Sequence, residues 1–89
     1  MAVFAVTDNA GQFFAVYYER MLACARVVDG DCAREWQILS LSAGGVAVVE
    51  RRSVKKSSVY QVTNFGTLDE AIASLPEAQR AVVEARGRK

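Results

Sequence analysis

Asn9-Ala10-Gly11-Gln12-Phe13-Phe14-Ala15-Val16-Tyr17-Tyr18-Glu19-Arg20-Met21-Leu22-Ala23-Cys24-Ala25-Arg26-Val27-Val28 is the stretch whose reading decides the fold. Read as a strand, Phe13, Ala15, Tyr17, Met21 and Val27 share one face, and Phe14, Val16, Tyr18, Leu22 and Val28 share the other. Both faces are then apolar and the strand is unusually long. At 100° per residue the pattern separates better. Phe13, Phe14, Tyr17, Tyr18, Met21, Cys24, Ala25 and Val28 form one broad stripe, with Gln12, Glu19, Arg20 and Arg26 opposite. Asn9 with Gln12 resembles a capping box, Asp8 is a second cap, and Gly30 stands where a left-handed C-cap belongs. Against the helix, Asp8-Asn9-Ala10-Gly11 also suits a hairpin loop, and Phe-Phe-Ala-Val-Tyr-Tyr favours strands. The periodicity predicts a helix over residues 9–28, with a hairpin strand as the alternative.

Working outward, residues 2–7 read as a short buried strand. Residues 33–42, with Trp36, Ile38, Leu39 and Leu41, read as another. Ala43-Gly44-Gly45 supplies the positive φ of a tight hairpin turn. Val46–Arg52 is the returning strand, residues 53–58 a polar, basic loop, and residues 59–65 a third strand of an antiparallel meander. Thr67-Leu68-Asp69-Glu70 is a capping box at a helix start, with Thr and Glu each satisfying a free backbone N–H. Pro76 lacks an N–H and crowds the preceding turn, so it kinks the helix or starts a second one. The expected fold is α+β in two layers. Its order is a short N-terminal strand, a helix, a three-stranded antiparallel meander, and a C-terminal helix kinked or broken at Pro76. One domain spans residues 1–86, and Gly87-Arg88-Lys89 is a frayed tail.

A chain of 89 residues holds one modest core and no deep interdomain cleft. Its apolar fraction of 52% is too high for a disordered chain. The net charge of +1 gives no global field for nucleic acid or membrane. The charge is uneven, however. Residues 1–49 carry three basic and five acidic side chains, a balance of −2, and residues 50–89 carry eight and five, a balance of +3. No run is long enough for a transmembrane helix, and the N-terminus lacks a basic lead before its apolar residues. These features predict a soluble, cytoplasmic protein with no membrane partner.

Catalysis has little to work with. Without histidine, neither a Ser-His-Asp nor a Cys-His arrangement can form. Gly44-Gly45 lacks the lysine and spacing of a phosphate loop. Asp29, Asp31 and Glu35 are the tight carboxylate group, best explained as turn and solvated-strand residues. Cys24 and Cys32 read as two reduced, largely buried thiols, with a local bridge or redox pair as the sharper reading. Two cysteines and no histidine are too few for a structural zinc site. The sequence therefore predicts no enzyme, no cofactor and no metal.

Three features can carry binding. Arg51, Arg52, Lys55 and Lys56 form a basic hairpin end. It can clamp phosphates of a nucleic acid through residues 51–56, meet an acidic protein, or simply solvate an edge against aggregation. If Phe13 or Tyr18 flanks the aromatic stripe rather than joining the core, it can anchor a protein interface or a homodimer. Trp36 reads as a core plug, and as an interface anchor if exposed.

The segment Ala33–Leu75, three strands followed by Thr67-Leu68-Asp69-Glu70-Ala71, is similar in element order to the three-strand-plus-helix DNA-binding domains of phage integrases. With the preceding helix it has the element order of double-stranded-RNA-binding domains. It lacks their Lys-Lys-x-Ala-Lys helix start, and the acidic Asp69-Glu70 found there repels phosphate. In type and size the chain resembles the inhibitors that phages and mobile elements encode, anti-CRISPR proteins among them. That resemblance implies masking of a surface on a larger host protein or ribonucleoprotein complex. The leading expectation is a stoichiometric inhibitor or adaptor of this kind. A nucleic-acid accessory protein and a homo-oligomeric assembly subunit are the alternatives.

Overall fold

The structure, a computed structural model, describes residues 2–7 and 13–85, and the side chains of residues 15–85. Its elements are β1 (Ala2–Thr7), β2 (Phe13–Asp29), β3 (Cys32–Leu41), β4 (Val46–Val54), β5 (Ser57–Phe65), α1 (Leu68–Ala73) and α2 (Glu77–Ala85). The five strands pair antiparallel in the order β1-β2-β3-β4-β5. The class is α+β: one antiparallel sheet with both helices following it.

The expected helix over residues 9–28 is not there: Phe13–Asp29 is a single 17-residue strand. The proposed caps Asp8, Asn9 and Gln12 lie outside the described residues, as do Gly87, Arg88 and Lys89. The misreading has a geometric cause. The register of β2 on β3 slips between Tyr18 and Arg20 and again between Met21 and Ala23. Each slip is a β-bulge, in which one extra residue stands against the partner strand. Tyr18, Met21 and Cys24 consequently pair with Leu41, Leu39 and Gln37, alternate residues of β3 that share one face. A spacing of three, which in sequence imitates a helix, is here the spacing of a twice-bulged strand. Gly30, read as a helix C-cap, has φ +60° but uses it in the Gly30-Asp31 turn between β2 and β3. Positive φ at only the first central position matches the II′ hairpin pattern.

The sheet is packed on both faces. On one, α1, α2 and the link between them place Ala71, Ile72, Leu75 and Val83 against Ala25, Trp36, Ile38, Val46 and Val48. On the other, Val16, Leu39 and Val49 form a second cluster with Tyr18, Leu41, Tyr60 and Val62 against it. The edge strands β1 and β5 come into contact, so the sheet is curled rather than flat. β1 pairs with β2 only from Phe13 to Tyr18, which is the end of the sheet that carries the Gly44-Gly45 turn. Thr67 caps α1: its Oγ1 accepts from the Glu70 backbone N–H at 3.2 Å and donates to Glu70 Oε1 at 3.1 Å. The Glu70 carboxylate thus meets the cap hydroxyl.

Candidate functional site

The helices cover the sheet unevenly. Cross-strand register defines three successive rows on the helix-bearing face. The first is Ala25, Trp36, Glu50 and Gln61, partly roofed by the helices. The second is Val27, Arg34, Arg52 and Val59. The third, at the hairpin tips, is Asp29, Cys32, Val54 and Ser57. Beyond the first row the valines emerge: Val27, Val54 and Val59 are all exposed, Val54 to 53%. Valine suits any strand position, so the alternation alone does not say which valines are roofed.

Arg34 and Arg52 stand directly opposite each other, a like-charge pairing that destabilises a sheet unless something neutralises it. Glu50, one row away, accepts from both and offsets one of the two charges. Arg34 donates to Glu50 Oε2 from Nη2 at 2.7 Å and from Nε at 3.1 Å, and Arg52 donates to the same oxygen from Nε at 2.9 Å. The Arg34 guanidinium also lies 4.6 Å from the centroid of the Trp36 ring, within cation–π range. Burial pushes the Glu50 carboxyl up, but the hydrogen bonds and charges of Arg34 and Arg52 outweigh it and hold the group below its usual range. The opposite face carries a looser copy: Glu35 meets Arg51 at 3.6 Å and accepts from Gln37 at 3.3 Å.

Between this charged row and α1 lies a half-open cleft of about 150 Å³. Trp36, Val48, Phe65 and Leu75 give its apolar lining, and Glu50, Gln61, Thr63 and Ser74 its polar lining. Trp36 is buried, at 4% exposure.

The sequence-predicted residues are scattered by this geometry. Arg51 and Arg52 lie on opposite faces, and each is held by a glutamate. Lys55 and Lys56 form the exposed turn beside them, and neither makes an ion pair among the described residues. Lys55 takes φ 55°, and its backbone N–H donates to the Asp31 carbonyl at 3.1 Å, which ties the two hairpin tips together. Trp36 is a core residue, which rules out its reading as an exposed anchor. Tyr18 is half-buried against the second cluster. Phe13 belongs to β2, and its side chain lies outside the described residues. Cys24 is half-buried and Cys32 exposed, and neither is in a disulfide, so the expectation of two buried thiols fails at Cys32. Asp29 and Asp31 flank the first hairpin tip, away from the Glu35–Arg51 pair. Arg34 and Glu50 were missed. The signal for them was the i, i+2 spacing of Arg34 with Trp36 and of Glu50 with Arg52, which puts each pair on one strand face.

No protein-family model, curated protein or solved structure matches the chain. Among the described residues, no helix is long and apolar enough to cross a membrane, and no cluster of three or more His, Cys, Asp or Glu is arranged to hold a metal.

Proposed function

We propose that this chain is a non-enzymatic binding domain that docks on a larger host protein or ribonucleoprotein complex and masks the surface it covers. Such a domain acts as a stoichiometric inhibitor or adaptor of the kind phages and mobile elements encode. The observation that carries this reading is the unroofed tip half of the helix-bearing face. There, exposed Val27, Val54 and Val59 surround the Arg34–Glu50–Arg52 group, with Lys55 and Lys56 at the rim. Exposed valines set around a charged group offer a partner both apolar area and charge to complement. Arg51 is paired with Glu35 and Arg52 shares Glu50 with Arg34, which lowers the net charge the basic hairpin presents to phosphate and weakens the nucleic-acid reading.

The test is capture from host lysate with tagged protein, with and without nuclease, at low and at roughly 0.5 M salt. A band in equimolar amount should survive both treatments. It should disappear with the double variant Val54→Glu, Val59→Glu, whose charges lie on an already exposed surface and leave the melting curve in place. Capture that is lost to nuclease or salt, with nucleic acid recovered and binding weakened by Lys55→Gln and Lys56→Gln, replaces this reading with the nucleic-acid one.

A further inference from the structure

We propose that two copies of this chain join through β5, edge to edge and antiparallel, into one continuous sheet. The inference is independent of the docking reading, since it uses the edge of the sheet and not its open face. Among the described residues the sheet has two open edges, and they are built differently. Beyond β1, the outer edge of β2 runs from Glu19 to Asp29. It carries Glu19, Arg20, Arg26 and Asp29 and both bulges, devices that keep an edge from pairing. β5 has none of them. Its nine residues, Ser57–Phe65, include no charge, no proline and no glycine, and its register on β4 is unbroken. β1 touches β5 but shares no register with it. Valine, tyrosine, threonine and phenylalanine favour extended backbone, so β5 is an edge ready to pair.

The sequence of β5 matches itself under a two-fold axis. The Lys55-Lys56 turn closes on the Val54–Ser57 pair, so the even-numbered residues of β5 aim their N–H and C=O groups away from β4. Antiparallel pairing of two copies over the whole strand then centres on Gln61. It sets Ser58 against Asn64, Tyr60 against Val62, and Val59 against Thr63. Polar meets polar, an aromatic ring meets a β-branched side chain, and no like charges are opposed. Such cross-strand pairs stabilise a sheet. The flanks say whose strand it is. In the same register Lys56 of one copy comes opposite Gly66 of the other. The Glu70 carboxylate lies over Gly66, with Oε1 3.2 Å from where a side chain there would begin. Asp69 adds a second acid in the first turn of α1. Each copy thus brings a lysine turn to the other's carboxylates, twice about the axis. The contact closes on itself and uses up the unguarded edge.

The experiment measures the mass of the full chain in solution by sedimentation equilibrium, from about 1 μM to about 1 mM. A reversible monomer–dimer equilibrium is expected, with a dissociation constant of about 1–100 μM for a contact of one strand pair. Gln61→Lys opposes two lysines on the axis and should weaken the dimer at least about tenfold. Gln61 is exposed, so this variant should keep the wild-type circular dichroism. Lys56→Glu, which sets a carboxylate against Glu70, should weaken the dimer about threefold. Register is read by Gln61→Cys in a Cys32→Ser background, a test that stands even if Gln61→Lys unfolds. Opposed Cα atoms of a non-hydrogen-bonded pair lie about 4.5 Å apart, within disulfide reach. Mild oxidation should therefore link the two copies at position 61, and Val59→Cys, which faces Thr63, should not link. A chain that stays monomeric to about 1 mM overturns the proposal and leaves β5 for a partner's strand. A dimer indifferent to Gln61→Lys, or one that links through Val59→Cys and not through Gln61→Cys, overturns it as well.

Discussion

The two ends of the sheet are built from the same residue types and behave differently. Toward the Gly44-Gly45 turn, Ile38, Leu39 and Ala47 have no exposed surface and Val49 has almost none. Toward the Gly30-Asp31 and Lys55-Lys56 turns, Val27, Val28, Val54 and Val59 stand in solvent, Val28 to 61%. Strand propensity is equal at the two ends, so what differs is what lies on top. Helices cover one face at the first end, and the curl that brings β1 to β5 covers the other. Stability resides at the first end, and the second is free for contact.

This contrast can be broken most directly by Ile38→Ala. Removing a side chain with zero exposure should cost about 2–5 kcal/mol, read as a lower urea midpoint at unchanged slope. A loss below about 1 kcal/mol would mean that the core is not centred at the Gly44 end. Glu50→Gln comes next. It leaves Arg34 opposite Arg52 without a carboxylate between them, and an expected loss of about 1–2 kcal/mol reflects the partial solvent screening of the pair. Because the Glu50 pKa is lowered in the folded state, its contribution is complete above the unfolded-state pKa and disappears as pH falls through the folded one. The gap between wild type and Glu50→Gln should therefore be widest at neutral pH and narrow in acid. A gap that widens in acid contradicts the assignment.

A smaller effect has the opposite sign. Lys55 holds a left-handed φ that costs a non-glycine residue about 1 kcal/mol, so Lys55→Gly should raise stability by roughly 0.5–1 kcal/mol, measured by thermal melting. The smallest is Val54→Ala, expected within about 0.5 kcal/mol of wild type. A loss as large as that of Ile38→Ala would show that the tip half is not a free surface.

The sequence made different parts of this architecture legible for different reasons. The β3–β5 meander could be read because Gly44-Gly45 and the alternation around it obey a period of two. Thr67 at the start of α1 could be read because capping is a local, stereochemically specific event. β2 could not, because its bulges insert a third residue into the period at just the places where Tyr18, Met21 and Cys24 sit. Aromatic residues at positions 13–18 pointed to a strand, and a helical period built from bulges outweighed them. Of the candidate surface, the basic tip was visible as a charge run. That Arg51 is paired depends on Glu35 across the sheet, a register known only once the strands are paired. Whether Trp36 is roofed depends on helices that begin more than thirty residues later.

The bulges have one more consequence, for the length of the chain. Within a regular strand, deleting a residue turns every later side chain over to the wrong face. At Glu19 the extra residue already stands outside the pairing, since Tyr18 and Arg20 occupy consecutive places against Leu41 and Ser40. A chain lacking Glu19 keeps every side chain of β2 on its present face, whereas a chain lacking Ala25 sends Arg26 under the helices and Val27 to the opposite side. Glu19 is thus a point where this protein can shorten by one residue and remain itself.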